Sequence, residues 1–300
     1  MAWVVFYLLR AAERLFSPGA MSLLLWPFAA TWDLLHVYWR KPVESWRRFP
    51  ESWNPSPVRF FLRQSLGLFH PRLVYLWPDR LCNPRWLSRC RLEGRYDLLK
   101  PRDGDRGVVL ASVHIGPSEI MPYWLRAHGI VTTTVRSRPS LQRLARHQWA
   151  LSPPSDVPLF LPVNEMPRVR QLLGPGRRLL VMVDVNRGKQ VYVPFENHLF
   201  RMATGAIRLA ALAGAELVPC LIRETDSWKF VIHFGNPVPR RYLARSPDLK
   251  GAAAHLLEEF LKVIPSYPEH CNHRLLSGIS RAAREEVADL SVVSCGLEGC

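Results

Sequence analysis

A histidine and a glutamate five residues apart, His114 and Glu119, carry the clearest chemical signal in this sequence. An apolar run from Val108 to Val113 leads into the histidine, a Gly-Pro pair follows, and the glutamate stands where a helix would begin. This pattern predicts a strand, a tight corner and a helix start. The corner would place the imidazole at the carboxyl end of a buried strand and bring Glu119 back within reach of it. Such a pair can take a proton from a hydroxyl, with His114 as general base and Glu119 as the acid that orients it.

The context of the pair matters more than its spacing, because His-x-x-x-x-acid also arises by chance. Of the ten histidines, His114 is the one with an acid at this offset, and it is also the one that ends a strand-like run. The structural alternative is a histidine that caps a strand and bonds to backbone.

The elements that must position this pair are strands alternating with helices. This alternation predicts an α/β fold with a mostly parallel mixed sheet and helices on both faces. The predicted strands are Val108–Val113, Ile130–Val135, Leu159–Val163, Leu179–Val183, Val191–Phe195, Leu217–Ile222 and Phe230–Phe234. The predicted helices are Ser118–Ala127, Leu141–Trp149, Pro167–Leu173, Ala203–Ala213 and Gly251–Ile264.

Cationic side chains follow several of these strands, at the sheet edge where ligands bind in such folds. The loop Asp184–Lys189 follows one strand and contains Arg187, and Arg136 follows another. We expect Arg187 to bind a phosphate, with Asp184 orienting it or the loop backbone. The oxyanion donors would be backbone N–H groups at the helix start after Gly116, together with Arg187 or Arg201. The predicted substrate-binding residues are Arg136, Asp184, Arg187, Lys189 and Arg201. Neither a P-loop nor a G-x-G-x-x-G nucleotide motif occurs.

The first 80 residues differ in composition from the rest. Residues 15–32 form an 18-residue stretch without charge, but Pro18, Gly19 and Pro27 interrupt it and Asp33 closes it. Tryptophans recur beside arginines just after it, as at a lipid head-group interface. We therefore predict that residues 1–80 form a helical membrane-associating region, with packing on the next domain as the alternative. An α/β domain at 81–270 and a tail at 271–300 would follow.

Charge and cysteine content narrow the possible partners. A net charge of +15 favours anions such as phospholipid head groups, nucleic acid, phosphorylated substrates or an acidic carrier protein. The six cysteines lack the paired spacing of a zinc site or a disulfide-rich scaffold, which indicates reduced thiols and no metal.

Several motifs in order resemble one known family, the late (lauroyl/myristoyl) acyltransferases of lipid A biosynthesis, within the lysophospholipid/glycerolipid acyltransferase superfamily. The resemblance covers about residues 90–235. It is carried by Gly107–Glu119, Leu180–Asp184 with Gly188, Val193-Pro194-Phe195, Gly205, Leu209-Ala210, Gly214-Ala215 and Val218-Pro219.

This resemblance implies a membrane enzyme at the cytoplasmic face of the bacterial inner membrane. It implies transfer of a fatty acyl chain from an acyl carrier protein or coenzyme A thioester to a lipid hydroxyl, without a cofactor. His114 and Glu119 fall on the catalytic positions of the family. The His-x-x-x-x-Glu motif departs from the family at Ser118, where a tryptophan is usual. The identity of the acceptor lipid is therefore undecided between a lipid A precursor and another glycolipid or phospholipid.

Two other classes of function remain. One is a basic membrane-surface or nucleic-acid-binding protein without catalysis, although no recognised nucleic-acid module occurs and our expectation is no nucleic acid. The other is a lipid hydrolase using His114 with Ser112 or Ser118, although neither serine lies in a G-x-S-x-G elbow.

Overall fold

The computed structural model describes residues 27, 44–67, 84–100, 107–136, 160–162, 173, 176–226 and 228–281. Within these residues a central sheet contains seven strands: β1 (Cys90–Gly94), β2 (Val108–Ser112), β3 (Thr132–Arg136), β4 (Phe160–Pro162), β5 (Arg178–Met182), β8 (Glu216–Asp226) and β9 (Lys229–Phe234). Their order is β1-β9-β8-β2-β5-β3-β4, and every neighbouring pair except β8–β9 is parallel. The predicted mostly parallel mixed sheet is confirmed.

A second, antiparallel sheet lies beside the first. It contains β6 (Gln190–Phe195), β7 (His198–Ala203) and β10 (Ile279–Arg281), with β7 in the middle. The sequence patterns predicted β6 but neither β7 nor β10. Both contain charged or polar residues, which break the apolar runs used to find strands.

The helices described are α1 (Pro57–Gly67), α2 (Pro84–Leu87), α3 (Met121–Ala127), α4 (Gly205–Ala213), α5 (Leu249–Leu261) and α6 (His273–Ser277). Helix α3 begins at Met121 and not at the predicted Ser118, so Glu119 lies in the turn before the helix. The predicted helices Leu141–Trp149 and Pro167–Leu173 lie outside the described residues, apart from Leu173.

The central sheet has helices on both faces. Successive side chains of β2 pack alternately against the helices on one face and on the other. Val109 and Ala111 pack into one apolar cluster with residues of α4 and α5. Val108 and Leu110 point the other way, into a cluster with α3. Side chains alternate between faces of a strand, so a strand covered on both sides reads as a continuous apolar run. Burial of a valine or leucine side chain such as Val109 or Leu110 contributes about 1.5–3 kcal/mol.

Segments on either side of the predicted α/β domain belong to the same core. Trp53 and Phe60 are buried in the first cluster, within the region predicted to associate with membranes. At the other end, β10 pairs with β7, so residues up to 281 continue the packed unit past the predicted boundary at 270. Residues 1–43 apart from Pro27, and residues 282–300, lie outside the described residues. Of the helices that the structure describes, none is both long enough and apolar enough to span a bilayer.

Candidate active site

The site is built on the corner that follows β2. Gly116 adopts a φ of +54°, and a Cβ atom there would lie 2.5 Å from the carbonyl oxygen of Ile222. Only glycine fits both the left-handed backbone and this close approach. The Gly116 N–H donates to the carbonyl of His270 at 2.8 Å. The corner therefore turns sharply against β8 and leaves His114 at the end of the sheet.

Asp184 comes to His114 from the neighbouring parallel strand. The β2–β5 register pairs Ser112 with Met182, and two residues further along each chain lie His114 and Asp184. The segment between them is fixed because the Val183 N–H donates to Ser112 at 2.8 Å and the Val183 carbonyl accepts from Ala203 at 2.7 Å.

The Asp184 carboxylate holds His114 at two points. Oδ2 accepts the His114 backbone N–H at 2.8 Å, and Oδ1 lies 2.7 Å from the ring Nδ1. The two residues are 1% and 5% exposed, so water competes little for these bonds.

Arg274 contacts the other ring nitrogen. Its Nη1 lies 2.9 Å from His114 Nε2. A guanidinium can only donate, so Nε2 must accept and Nδ1 must carry the proton that is donated to Asp184. The two partners together define one neutral tautomer, in which Nδ1 carries the proton and Nε2 carries the lone pair that accepts from Arg274.

Arg274 is itself held by backbone contacts with the corner. Ile115 forms an isolated antiparallel bridge with Cys271, and the Asn272 N–H donates to the His114 carbonyl at 3.2 Å. The Asn272 side chain then caps α6 by accepting the Arg274 N–H at 2.9 Å. These contacts join residues 270–274 to the residues around His114.

A cavity of about 840 Å³ opens beside His114. Its apolar lining comes from β3, β5 and α4 and from the segments that adjoin them: Val135, Leu180, Val181, Met182, Val185, Ala203, Ala206 and Leu209. Its polar lining includes His114, Ser118, Glu119, Thr134 and Asp184. A hydrocarbon chain and a polar reacting group can thus share one space.

Four cations line this cavity: Arg187, Lys189, Arg208 and Arg274. Among the described residues none of them pairs with a carboxylate: Arg274 donates to His114, and Arg208 donates to the Thr204 hydroxyl at 3.3 Å. Other arginines of the chain are paired, such as Arg63 with Glu224 and Arg95 with Asp97. The cavity therefore presents positive charge to an incoming anion.

The structure brings most of the predicted site residues together. His114, Glu119, Asp184, Arg187 and Lys189 all line the cavity. Arg136 is the last residue of β3, next to the cavity-lining Val135.

Three predictions about the site need correction. Asp184, and not Glu119, is the acid bonded to Nδ1 of His114, because the strand register brings the aspartate directly beside the ring. We expected Asp184 to orient Arg187 or the loop backbone, but among the described residues its side chain bonds to His114 and not to Arg187. Arg201 is absent from the cavity lining; it lies on β7, where its backbone N–H donates to the Gly278 carbonyl at 2.8 Å.

Sequence reasoning missed Arg208, Arg274 and Thr134. Arg208 was detectable, since it lies one helical turn after Thr204, the N-cap of α4. Arg274 lies 160 positions after His114, and no local pattern connects the two.

Among the described residues, the histidine has no nucleophilic partner. Its ring contacts are Asp184 and Arg274, with no serine or cysteine bonded to it. Burial raises the pKa of Cys220 to about 12, despite a hydrogen bond with Ser112 that lowers it. Burial, with the charges of Glu269 and Asp184, also raises the pKa of Cys271 well above its usual value. Neither thiol forms a thiolate readily. The described residues also contain no group of three His, Cys, Asp or Glu side chains that could hold a metal.

Comparison with known proteins gives the family. None of the curated protein sequences compared with the chain matches it. The chain is similar to the crystal structure of the 1-acyl-sn-glycerophosphate (LPA) acyltransferase PlsC from Thermotoga maritima, with a TM-score of 0.41 and 13% sequence identity over 82% of this chain and 97% of that one. The model of the bacterial lipid A biosynthesis acyltransferases matches residues 73–271, which include His114, Glu119 and Asp184. The chain therefore belongs to the family of bacterial lipid A biosynthesis acyltransferases.

Proposed function

We propose that this acyltransferase moves a fatty acyl chain from an acyl carrier protein or coenzyme A thioester to a hydroxyl of a lipid acceptor, with His114 as general base. The observation that carries this proposal is the buried Asp184–His114 pair at the wall of an amphipathic cavity. Its acceptor is a lipid A precursor or another glycolipid or phospholipid.

The chemistry needs a base but no covalent enzyme intermediate, because a thioester is already activated. Nε2 of His114 takes the proton of the acceptor hydroxyl as its oxygen attacks the thioester carbonyl. Asp184 stabilises the imidazolium that forms. When the tetrahedral intermediate collapses, the C–S bond breaks and the imidazolium returns the proton to the departing thiolate. The absence of a bonded serine or cysteine among the described residues disfavours the hydrolase alternative.

The residues that line the cavity support binding roles for the acyl chain and for phosphate. The apolar side chains of β5 and α4 would take the acyl chain, and Arg187, Lys189 and Arg208 would take phosphate on the donor or the acceptor. Glu119 would accept a hydrogen bond from a second hydroxyl of the acceptor, since Asp184 already occupies Nδ1. In this role Glu119 orients the acceptor, and His114 remains the general base.

Product analysis tests the proposal. The full chain in a membrane fraction is incubated with lauroyl and myristoyl thioesters of acyl carrier protein and of coenzyme A, together with a total lipid extract. The mass of the new lipid identifies donor, acceptor and chain length together.

His114→Ala serves as the control variant. We expect loss of product by about 10²-fold or more. A variant that retains turnover and keeps its fold would overturn the assignment of His114 as base.

A further inference from the structure

The contact between Arg274 and His114 blocks the ring nitrogen that would act as the base. Nε2 is the atom that must receive the proton, yet its lone pair already accepts a hydrogen bond from Arg274 at 2.9 Å. A nitrogen with one lone pair cannot accept from the guanidinium and from a substrate hydroxyl in good geometry at once. In this arrangement the base is oriented by Asp184 and covered by Arg274.

Arg274 is placed to leave this position. It is an exposed side chain at the cavity wall, with three cations around the same cavity and no carboxylate partner among the described residues. Its backbone, in contrast, is tied to the corner through Asn272. Swinging the side chain therefore costs one hydrogen bond to a neutral ring, and a phosphate in the cavity would offer two stronger, charge-assisted ones.

We infer that Arg274 couples the availability of the base to phosphate: it covers Nε2 in the empty site and is drawn away when a phosphate group enters the cavity. This inference rests on the proposed function. Arg274 lies outside the residues 73–271 that match the family model, so the match assigns it no role. Arg274 is a positioning residue here, since it acts through His114, and it makes turnover selective for phosphorylated partners.

The first test measures the exposure of Nε2 without any turnover. Diethyl pyrocarbonate acylates an imidazole nitrogen whose lone pair is free, and peptide mass spectrometry reports the rate at His114. In the full chain we expect slow labelling that accelerates on addition of inorganic phosphate. Arg274→Met keeps an unbranched apolar side chain but removes the guanidinium donors, so labelling should be about 10-fold faster and insensitive to phosphate.

Arg245→Met is the matched control, because Arg245 is an exposed arginine away from the cavity. It should label like the parent chain. Equal labelling rates in the parent and in Arg274→Met would overturn the covering of Nε2. A parent rate that phosphate leaves unchanged would overturn the coupling.

The second test measures turnover with substrates that differ in phosphate. Lauroyl-N-acetylcysteamine has none, whereas lauroyl-coenzyme A has several; monoacylglycerol and lysophosphatidate form the matching acceptor pair. We expect the parent chain to favour phosphorylated partners, and Arg274→Met to gain on the phosphate-free pair while losing on the others. Loss of the preference with coenzyme A alone places the phosphate on the donor, and loss with lysophosphatidate alone places it on the acceptor.

The two tests separate the inference from the proposed function. If no thioester turns over in any variant, the function fails while the labelling still reports on Arg274. If turnover occurs but Arg274→Met lowers the rate equally for all substrate pairs, Arg274 is merely structural and the inference fails.

Discussion

At the scale of the residue, the two bonds between Asp184 and His114 explain how the imidazole is held in one orientation. The backbone N–H fixes the carboxylate, and the carboxylate fixes the ring, so neither can rotate alone. A buried aspartate that has lost this partner would be an uncompensated charge, which makes the pair one unit energetically.

Asp184→Asn should lower kcat by roughly 10²-fold or more, because a neutral amide cannot stabilise the imidazolium and can favour the wrong tautomer. Steady-state kinetics with a saturating thioester donor measure the effect, and thermal unfolding checks the fold. Glu119→Gln is the matched change of acid to amide in the same cavity and should act mainly on KM for the acceptor. If instead Glu119→Gln loses kcat and Asp184→Asn does not, Glu119 is the orienting acid after all.

Arg187→Ala should raise KM for the phosphorylated partner about 10-fold with little change in kcat, provided that Arg187 binds ground state and transition state equally. The reason is that Arg187 lines the cavity without a carboxylate partner among the described residues. Initial rates over a range of donor and acceptor concentrations show which substrate it contacts. Kinetics that match those of the parent for both substrates would remove the loop Asp184–Lys189 from the binding site.

The residues of the site were predictable from sequence to an uneven degree. His114 could be found because a strand-like run and a Gly-Pro corner frame it. Glu119 was assigned its role from its place after the Gly-Pro corner and from the family resemblance, whereas the partner of Nδ1 depends on which strand lies beside β2. Once β5 is known to pair with β2 through Ser112 and Met182, Asp184 follows by counting two residues.

At the scale of the element, the corner after β2 is the part that tolerates least change. Gly116→Ala places a methyl group 2.5 Å from the Ile222 carbonyl and 3.3 Å from Arg223 Cα, both backbone atoms that cannot move aside easily. We expect a loss in the free energy of unfolding of about 2–4 kcal/mol and a fall in activity, since the corner carries His114.

Gly129→Ala is the control for that change. Gly129 also has a positive φ, +76°, but nothing lies within 4 Å of its would-be Cβ. The free energy of unfolding should fall by only about 1–2 kcal/mol, the cost of placing alanine in a left-handed backbone conformation, and activity should be unchanged. Urea unfolding of both variants measures the difference, and equal losses would show that the close approach to β8 does not constrain the corner.

Helix α5 is attached to the segment after β9 through Glu259, and this attachment depends on pH. Burial disfavours the ionised carboxyl, but hydrogen bonds from Lys262 and Asn236 outweigh burial and lower the pKa of Glu259 below its usual 4.5. The stabilisation is therefore complete above about pH 4.5 and lost as the pH falls through the lower folded-state value. Glu259→Gln should flatten the acid side of a plot of unfolding free energy against pH. An unchanged slope would show that the carboxylate contributes nothing to this dependence.

The bounds of strands that are buried on both faces were easier to predict than the contacts of single residues. Strands β2 and β5 lie between two layers of helices, so their apolar runs are uninterrupted and their bounds came out within one residue at the start and end. Strand β7 has the sequence His-Leu-Phe-Arg-Met-Ala, and Arg201 with His198 hid it, although all but one of its residues are buried. Burial of such polar side chains depends on neighbours that a single segment does not reveal.

At the scale of the whole molecule, the site is assembled from segments far apart in the chain. His114 and Asp184 lie two residues after the ends of β2 and β5, and Arg274 lies in α6; the bonds among them close loops of 70 and 160 residues. Closing such long loops costs chain entropy, and the packing of the whole core, rather than a local motif, brings these residues together. This is why the sequence predicted the sheet and singled out His114 but did not reveal Arg274, the cation that contacts its ring.

The attachment of the whole protein to a membrane is the remaining prediction. The charge-free stretch 15–32 and the tryptophans that follow lie outside the described residues, so the expectation comes from sequence. Apolar burial in a bilayer is insensitive to salt, whereas attraction of a +15 chain to anionic lipid is screened within about 3 Å at 1 M salt. We therefore expect the full chain to stay in the membrane fraction in 1 M salt and to leave it in detergent.

Deleting residues 1–40 should release part of the protein while its unfolding transition persists, because Trp46, Phe49, Trp53 and Phe60, which pack in the first apolar cluster, all lie after the deletion. Deleting residues 282–300 provides the control, since it shortens the chain without touching the apolar stretch and should leave the distribution unchanged. Sedimentation followed by immunoblotting measures each fraction. Complete release of the full chain by salt would mean that charge alone holds it, and loss of the unfolding transition on deleting 1–40 would mean that the stretch packs on the α/β unit.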